Sequence, residues 1–223
     1  MKNEGLHMVK GAIVPHPEQL TEGYCKLEDG RHVANVHAEK ILGVMTGFIA
    51  AHDEDELCFF FLELPTGEEE ECRLNSESLK LPAMTEVVNG VPMTGKVLTS
   101  THKDVYYMDG LKQIEAVAVL HENQEVLIHD GISEFGFGYK SGHEIQRGKY
   151  NVITIYGLDD EVAAEFFKYF EIPYVEDLES AWCTFTKEQP GQSMCYEHEG
   201  HTVYDLVEKY KDWGIYKAET CER

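Results

Sequence analysis

Three groups of side chains have types and spacings that could do chemistry. The first is a pair of carboxylate blocks, Asp53-Glu54-Asp55-Glu56 and Glu68-Glu69-Glu70-Glu71. The stretch between them, Leu57 to Leu64 (LCFFFLEL), reads as one strand, which at about 3.3 Å per residue holds the blocks roughly 25 Å apart. That separation excludes one compact metal cage and leaves two ends of an acidic surface. Such a surface steers a basic protein by long-range attraction, raising on-rate more than affinity. Asp53, Glu54, Asp55, Glu56, Glu68, Glu69, Glu70 and Glu71 are therefore the expected partner-binding residues. Solvated loops that only aid solubility are the plainer reading of either block alone.

The second group is Glu197-His198-Glu199-Gly200-His201. Two imidazoles three positions apart beside carboxylates are ligand types for Zn²⁺, with His129 or His143 as a third ligand. The pattern is H-x-x-H across a glycine turn, not the H-E-x-x-H that sets both rings on one helical face. The third group is His129-Asp130-Gly131 with Ser133-Glu134, which contains hydrolytic ingredients without the G-x-S-x-G elbow. Gly136 and Gly138 do not complete a dinucleotide fingerprint, and no phosphate-binding G-x-x-x-x-G-K-[ST] is present. No cofactor is expected, and no catalytic residue is assigned.

The elements that must position these groups are clearest at the C-terminal end. Lys149 to Tyr156 is β-branched and aromatic between two glycines and predicts a strand. A helix should follow Asp159 on the stripe Val162, Ala163, Phe166, Phe167 and Phe170, ending at Ile172-Pro173. Ala181 to Thr186 and Ser193 to His198 read as a hairpin about Pro190-Gly191. Thr202 with Asp205 caps another helix ending at Gly214, and Ile215 to Thr220 makes a last strand. The order β-α-β-β-α-β is a ferredoxin-like unit over residues 148–223, with one aromatic sheet face left open. Phe135, Phe137 and Tyr139 alternate with Gly136 and Gly138 and predict a strand face packed on core.

Residues 1–147 read as a β-rich region, a meander, sandwich or barrel, which forms either a domain of its own or one globule with 148–223. Asp29-Gly30 marks a tight hairpin between Gly23 to Leu27 and His32 to His37. Leu57 to Leu64 is apolar on both faces, hence a central strand, with Glu71 to Leu74 as its partner. Ile41 to Ala51 has a helix-or-strand pattern, and Gly43 and Gly47, each costing about 1 kcal/mol in a helix, tip it toward strand. Val105 to Met108, Glu125 to His129 and Glu134 to Tyr139 read as strands. Gly110 to Asn123 fits helix or strand, and Asn75 to Pro92 a linker or long loop.

Composition bounds the partners. Against 19 Lys+Arg stand 41 Asp+Glu, a formal charge of −22. Nucleic acid, which needs clustered cations to displace counterions, is the wrong partner, and so is an anionic membrane. The start MKNEGLHMVK lacks the apolar stretch of a signal peptide, and no apolar run is long enough to span a bilayer. The six cysteines are scattered, and neither expected hairpin brings two together: Cys72 would face Phe61, and Cys183 would face His198. A reduced, cytoplasmic chain is the simplest expectation. The function expected is that of a non-enzymatic acidic binding protein, an inhibitor, immunity or adaptor protein recognising a basic protein. The alternatives are a metal-dependent hydrolase built on a His/Glu cluster such as His198 and His201, and a small-molecule sensor on the ferredoxin-like sheet. A homodimer through the open sheet face is a further partner the pattern allows.

Overall fold

The apolar stretch beginning at Cys58 lies near the middle of an eight-stranded sheet in which every neighbouring pair is antiparallel. The computed structural model describes residues 5–66, 85–88, 91–94, 102–186 and 188–222. In chain order its elements are β1 (Ala12–Ile13), β2 (Gly23–Lys26), β3 (His32–Asn35), α1 (Ala38–Ala50), β4 (Cys58–Thr66), β5 (Thr85–Val88), β6 (Val91–Thr94), β7 (His102–Leu111), α2 (Gln113–Glu122), α3 (Gln124–His129), β8 (Glu134–Tyr139), β9 (Glu144–Arg147), β10 (Val152–Tyr156), α4 (Asp160–Tyr169), β11 (Gln192–Ser193), α5 (Asp205–Lys209) and β12 (Tyr216–Glu222). The large sheet runs β12-β7-β4-β8-β9-β10-β3-β2. The protein is a mixed α+β fold, and no described helix is long and apolar enough to cross a membrane.

Alternation along the strands makes two unlike faces. On one face β4 sends in Cys58, Phe60, Leu62 and Leu64, β8 sends in Phe135, Phe137 and Tyr139, and β9 and β10 send in Ile145, Ile153 and Ile155, all within one continuous core. The helices cover this face. Ile41, Val44, Met45, Phe48 and Ile49 of α1 recur at i, i+3, i+4, i+7 and i+8 and are all buried, the stripe that makes a helix pack on a sheet. α2 buries Ala116, Val119 and Leu120, and α3 buries Val126, Leu127 and Ile128. α4 joins through Phe167, stacked on Tyr24 of β2 at 4.4 Å, and through Asp160, whose carboxylate lies 2.7 Å from Lys26 Nζ and 3.3 Å from His32 Nε2.

Several segments differ from their local patterns. Ile41 to Ala51 is helical, not a strand, because its buried stripe has helical spacing, and Gly47 admits a close neighbour: a Cβ there would lie 2.4 Å from Phe170 Cζ, beyond the end of α4. Glu125 to His129 is the short helix α3 rather than a strand, continuing from α2 with Asn123 between them. Gly110 to Asn123 resolves to α2. Part of the expected linker Asn75 to Pro92 belongs to the β5–β6 hairpin, paired from Thr85↔Thr94 to Val88↔Val91. The expected partner strand Glu71 to Leu74 lies outside the described residues, and β4 pairs instead with β7 and β8.

The ferredoxin-like unit over 148–223 does not form. β10 and α4 occur as expected, and so does a C-terminal strand, but β12 pairs with β7 at one edge of the large sheet while β10 lies between β9 and β3. The expected hairpin is replaced by a 3-10 turn, Ala181–Thr184, whose Trp182 and the following Phe185 pack edge-on against Tyr150 at 4.8 and 5.1 Å. Its second strand shrinks to β11, which pairs with β1 because the N-terminal segment supplies the nearer backbone partner, Met194 N donating to Gly11 O at 2.7 Å. Nor do the described strands close into a sandwich or barrel: β12 and β2 are the two edges of an open sheet.

Candidate binding face

The second face of the sheet is built from the residues that alternate with the core set. Register places Tyr216 of β12, Tyr107 of β7, Phe61 of β4, Gly136 of β8 and Gln146 of β9 side by side in one row. Phe61 and Val105 stand outside the continuous core yet are only 5% and 4% exposed, so the centre of this second face is itself buried, with Phe59 and Tyr107 half-buried beside it. The glycines of β8 make room for these rings. A Cβ on Gly136 would come within 2.5 Å of Phe61 Cζ, and one on Gly138 within 2.3 Å of Phe59 Cζ, so both rings lean across β8 where any side chain would block them. Phe59, Phe61 and Tyr107 form a connected aromatic group with centroid separations of 5.7 to 6.4 Å, and Tyr216 continues it from Tyr107 at 6.4 Å.

Carboxylates line both sides of this aromatic row. On one side Glu219, Val105, Glu63 and Glu134 are successive cross-strand neighbours, which puts Glu63 directly opposite Glu134. Like charges so placed destabilise a sheet, and Lys103, paired with Glu63, offsets part of the repulsion. On the other side Glu144 is the register partner of Gly138, and Asp109 accepts the Tyr216 hydroxyl at 2.8 Å. Burial and then the negative charge of Glu63 push the Glu144 carboxyl above its ordinary range. Burial, followed by the fields of Glu144, Glu63, Glu219 and Asp109, raises the Tyr107 phenol and keeps it un-ionised.

Of the acidic blocks named from sequence, the first forms the turn between α1 and β4. Asp53 shapes it, accepting the Asp55 amide on Oδ1 at 3.0 Å and the Glu56 amide on its carbonyl at 3.0 Å. Asp53, Glu54 and Asp55 are exposed and Glu56 half-buried. The turn leads straight into Cys58 and Phe59, at the end of the face where Asp109 and Glu144 lie. Glu68, Glu69, Glu70 and Glu71 lie outside the described residues. Beside the turn, His52 stacks on Tyr139 at 3.8 Å, and its Nε2 lies 3.1 Å from His143 Nδ1. Burial holds the His52 imidazole below its usual range, with His143 adding to the effect.

The histidine candidates separate. His198 and His201 exchange two backbone hydrogen bonds of 2.9 Å, but their rings turn to different carboxylates, Glu125 and Asp205, each at 4.0 Å. Among the described residues the group with metal-ligand atoms within 4.8 Å of one another is His7, His37 and Glu39. There His7 Nδ1 is 2.7 Å from Glu39, His37 Nδ1 accepts the His7 amide at 3.0 Å, and His37 Nε2 faces Glu22 at 3.9 Å. Both nitrogens of His37 are thus engaged, and the trio ties the N-terminal segment to α1. In the third group, the Asp130 carboxylate accepts the amides of Ile132, Ser133 and Tyr196 at 3.0, 2.7 and 2.9 Å. Ser133 Oγ and His129 Nδ1 are buried without a hydrogen-bond partner, so Ser133 is not paired with His129 as an activated nucleophile would be.

Phe59, Phe61, Tyr107, Asp109 and Glu144 were not legible as a site. The signal present was the two-sided apolar strand Leu57 to Leu64, together with the glycine alternation of β8, whose inward side alone is apparent locally. No family model matches the chain, and no curated protein or solved structure matches it either.

Proposed function

We propose that the protein is a non-enzymatic recognition module that binds a basic protein partner through the second face of its sheet, the mode of an inhibitor, immunity or adaptor protein. The observation that carries this reading is the set of half-buried Phe59 and Tyr107 with exposed Tyr216, gathered about the buried Phe61 between two lines of carboxylates. Aromatic rings supply contact area with little loss of side-chain freedom, and the carboxylates select for positive charge and raise the encounter rate. Asp53, Glu54, Asp55 and Glu56 extend the negative field at one end, and the overall charge of −22 acts in the same direction. A second copy of this chain is the poorer occupant, because the face laid on itself opposes carboxylate to carboxylate. The metal-dependent hydrolase reading has less support, since the rings of His198 and His201 diverge.

The test uses a panel of small basic and acidic proteins of known structure as surface-plasmon analytes at low and high salt. Association with basic members, lost at high salt, is the expected result. The combined variant Asp109→Asn, Glu134→Gln, Glu144→Gln should slow it by roughly tenfold. Binding that ignores analyte charge, or the same association rate in the variant, would overturn the reading.

A further inference from the structure

We infer that the anchor of this face is a seat for one guanidinium group, lined by the rings of Phe59 and Tyr107 with the Glu144 carboxylate at its margin and the negative charge of Asp109 at the same end, and that it takes an arginine of the partner in preference to a lysine. The inference rests on the reading of the face as a surface for a basic protein and names the side chain that would hold the partner.

The two ends of the face differ in their countercharge. At the Glu63 and Glu134 end the chain provides its own cation, Lys103. At the other end neither Asp109 nor Glu144 has a cationic partner among the described residues: Asp109 accepts the Tyr216 hydroxyl, and the nearby charge acting on Glu144 is the negative one of Glu63. Glu144 is half-buried, and a half-buried carboxylate without a cation is stabilised by acquiring one. The acidic turn 53–56 adds negative potential at this same end, where β4 begins.

The floor decides which cation. Phe59 and Tyr107 lie 5.7 Å apart with 53° between their planes, so a flat group can stack on one ring while its edge meets the other. Because Gly138 carries no side chain, the Phe59 ring lies across β8 next to Glu144 rather than standing away from it. A guanidinium is planar, weakly hydrated and forked. It can lie on the ring while donating in its own plane to the Glu144 carboxylate at its margin. An ammonium is a compact, strongly hydrated charge that uses neither the ring face nor a forked contact to the carboxylate.

Calorimetric titration with two blocked hexapeptides, alternating Gly-Arg and alternating Gly-Lys, tests the seat at low salt. The arginine peptide is expected to bind at least roughly fivefold more tightly, in line with stacked and bidentate guanidinium contacts. Its binding should also lower the pH at which the Tyr107 phenol ionises, read by ultraviolet difference absorbance against Tyr107→Phe. Glu144→Gln, isosteric and at a partly exposed position, should erase the arginine preference, as should Phe59→Leu, while Glu188→Gln should retain it. Equal affinity for the two peptides, or a preference that survives Glu144→Gln, overturns the seat and leaves the acidic face standing. No binding of either peptide overturns both.

Discussion

Arg147 is fully buried and its guanidinium is directed at backbone: Nη1 donates to Ser133 O at 3.0 Å, and Nη2 to Ile128 O at 2.9 Å and to the Asp130 carbonyl. With the Asp130 carboxylate holding three amides of the same region, the pair fastens the loop after α3 to the sheet. This explains why His129, Asp130 and Ser133, which look like hydrolytic ingredients in the sequence, serve the fold instead. Their organiser comes from β9, and nothing in the local spacing announces it. His129 itself is pushed down to about 4, first by burial and then by the charge of Lys10. Between about 4 and the ordinary 6.5 the unfolded chain therefore binds a proton that the folded chain refuses, and stability falls as pH drops through that window. Urea unfolding midpoints should fall from neutral pH to pH 4. His129→Gln should remove a part on the order of 2 kcal/mol of that loss. An unchanged slope in the variant would show that His129 binds its proton alike in the folded and unfolded chain.

At the scale of elements, α1 shows why a propensity argument can point the wrong way. Gly43 and Gly47 each disfavour a helix by about 1 kcal/mol, yet five buried apolar residues at helical spacing outweigh them. Their environments differ. A Cβ on Gly43 would make ordinary contact with Phe170 at 3.7 Å, whereas one on Gly47 would overlap that ring at 2.4 Å. Gly43→Ala should therefore raise the thermal midpoint, with a gain of about 0.5–1 kcal/mol. Gly47→Ala should lower it despite the better helix former, by about 1–3 kcal/mol for overpacking. Equal responses of the two variants in thermal denaturation would refute the close approach of Phe170. The hairpin about Asp29-Gly30 and the strand β8 were legible because their determinants are local: Gly30 at φ 89° and an unbroken alternation. The 3-10 turn at Ala181–Thr184 was not, because its aromatic residues were claimed by Tyr150.

For the whole molecule, the helices lie on one side of an open sheet, and the charge of −22 is spread over what remains exposed, including helix α4 and the turn 53–56. Among the described residues most of the ion pairs are surface contacts such as Lys168–Glu165 and Lys211–Glu208, at 3.3 and 3.4 Å, and pairs of that kind contribute little. Net self-repulsion then dominates the electrostatics of stability. Sodium chloride should raise the urea midpoint by screening that repulsion, while weakening attraction to a basic partner over the same range. A midpoint that falls with salt would mean that attractive pairs outweigh the surplus. The acidic surplus was thus readable from composition, but where its carboxylates gather was not: one acidic block sits at an end of the aromatic face, and the other carboxylates of that face come from β4, β7, β8, β9 and β12.

The sequence by itself determined the features that a residue and its near neighbours control: the acidic surplus, the two-sided apolar strand beginning at Cys58, the alternation of β8, and the helix following Asp159. Only the tertiary structure decided that β12 pairs with β7 and β10 with β3, that α1 is a helix, and that Phe59, Tyr107, Asp109 and Glu144 share one face. The physical reason is that a period of two residues says which side chains lie on the same side of a strand, but not which strand lies next to it or which side is covered. Those choices rest on contacts between residues far apart in the chain.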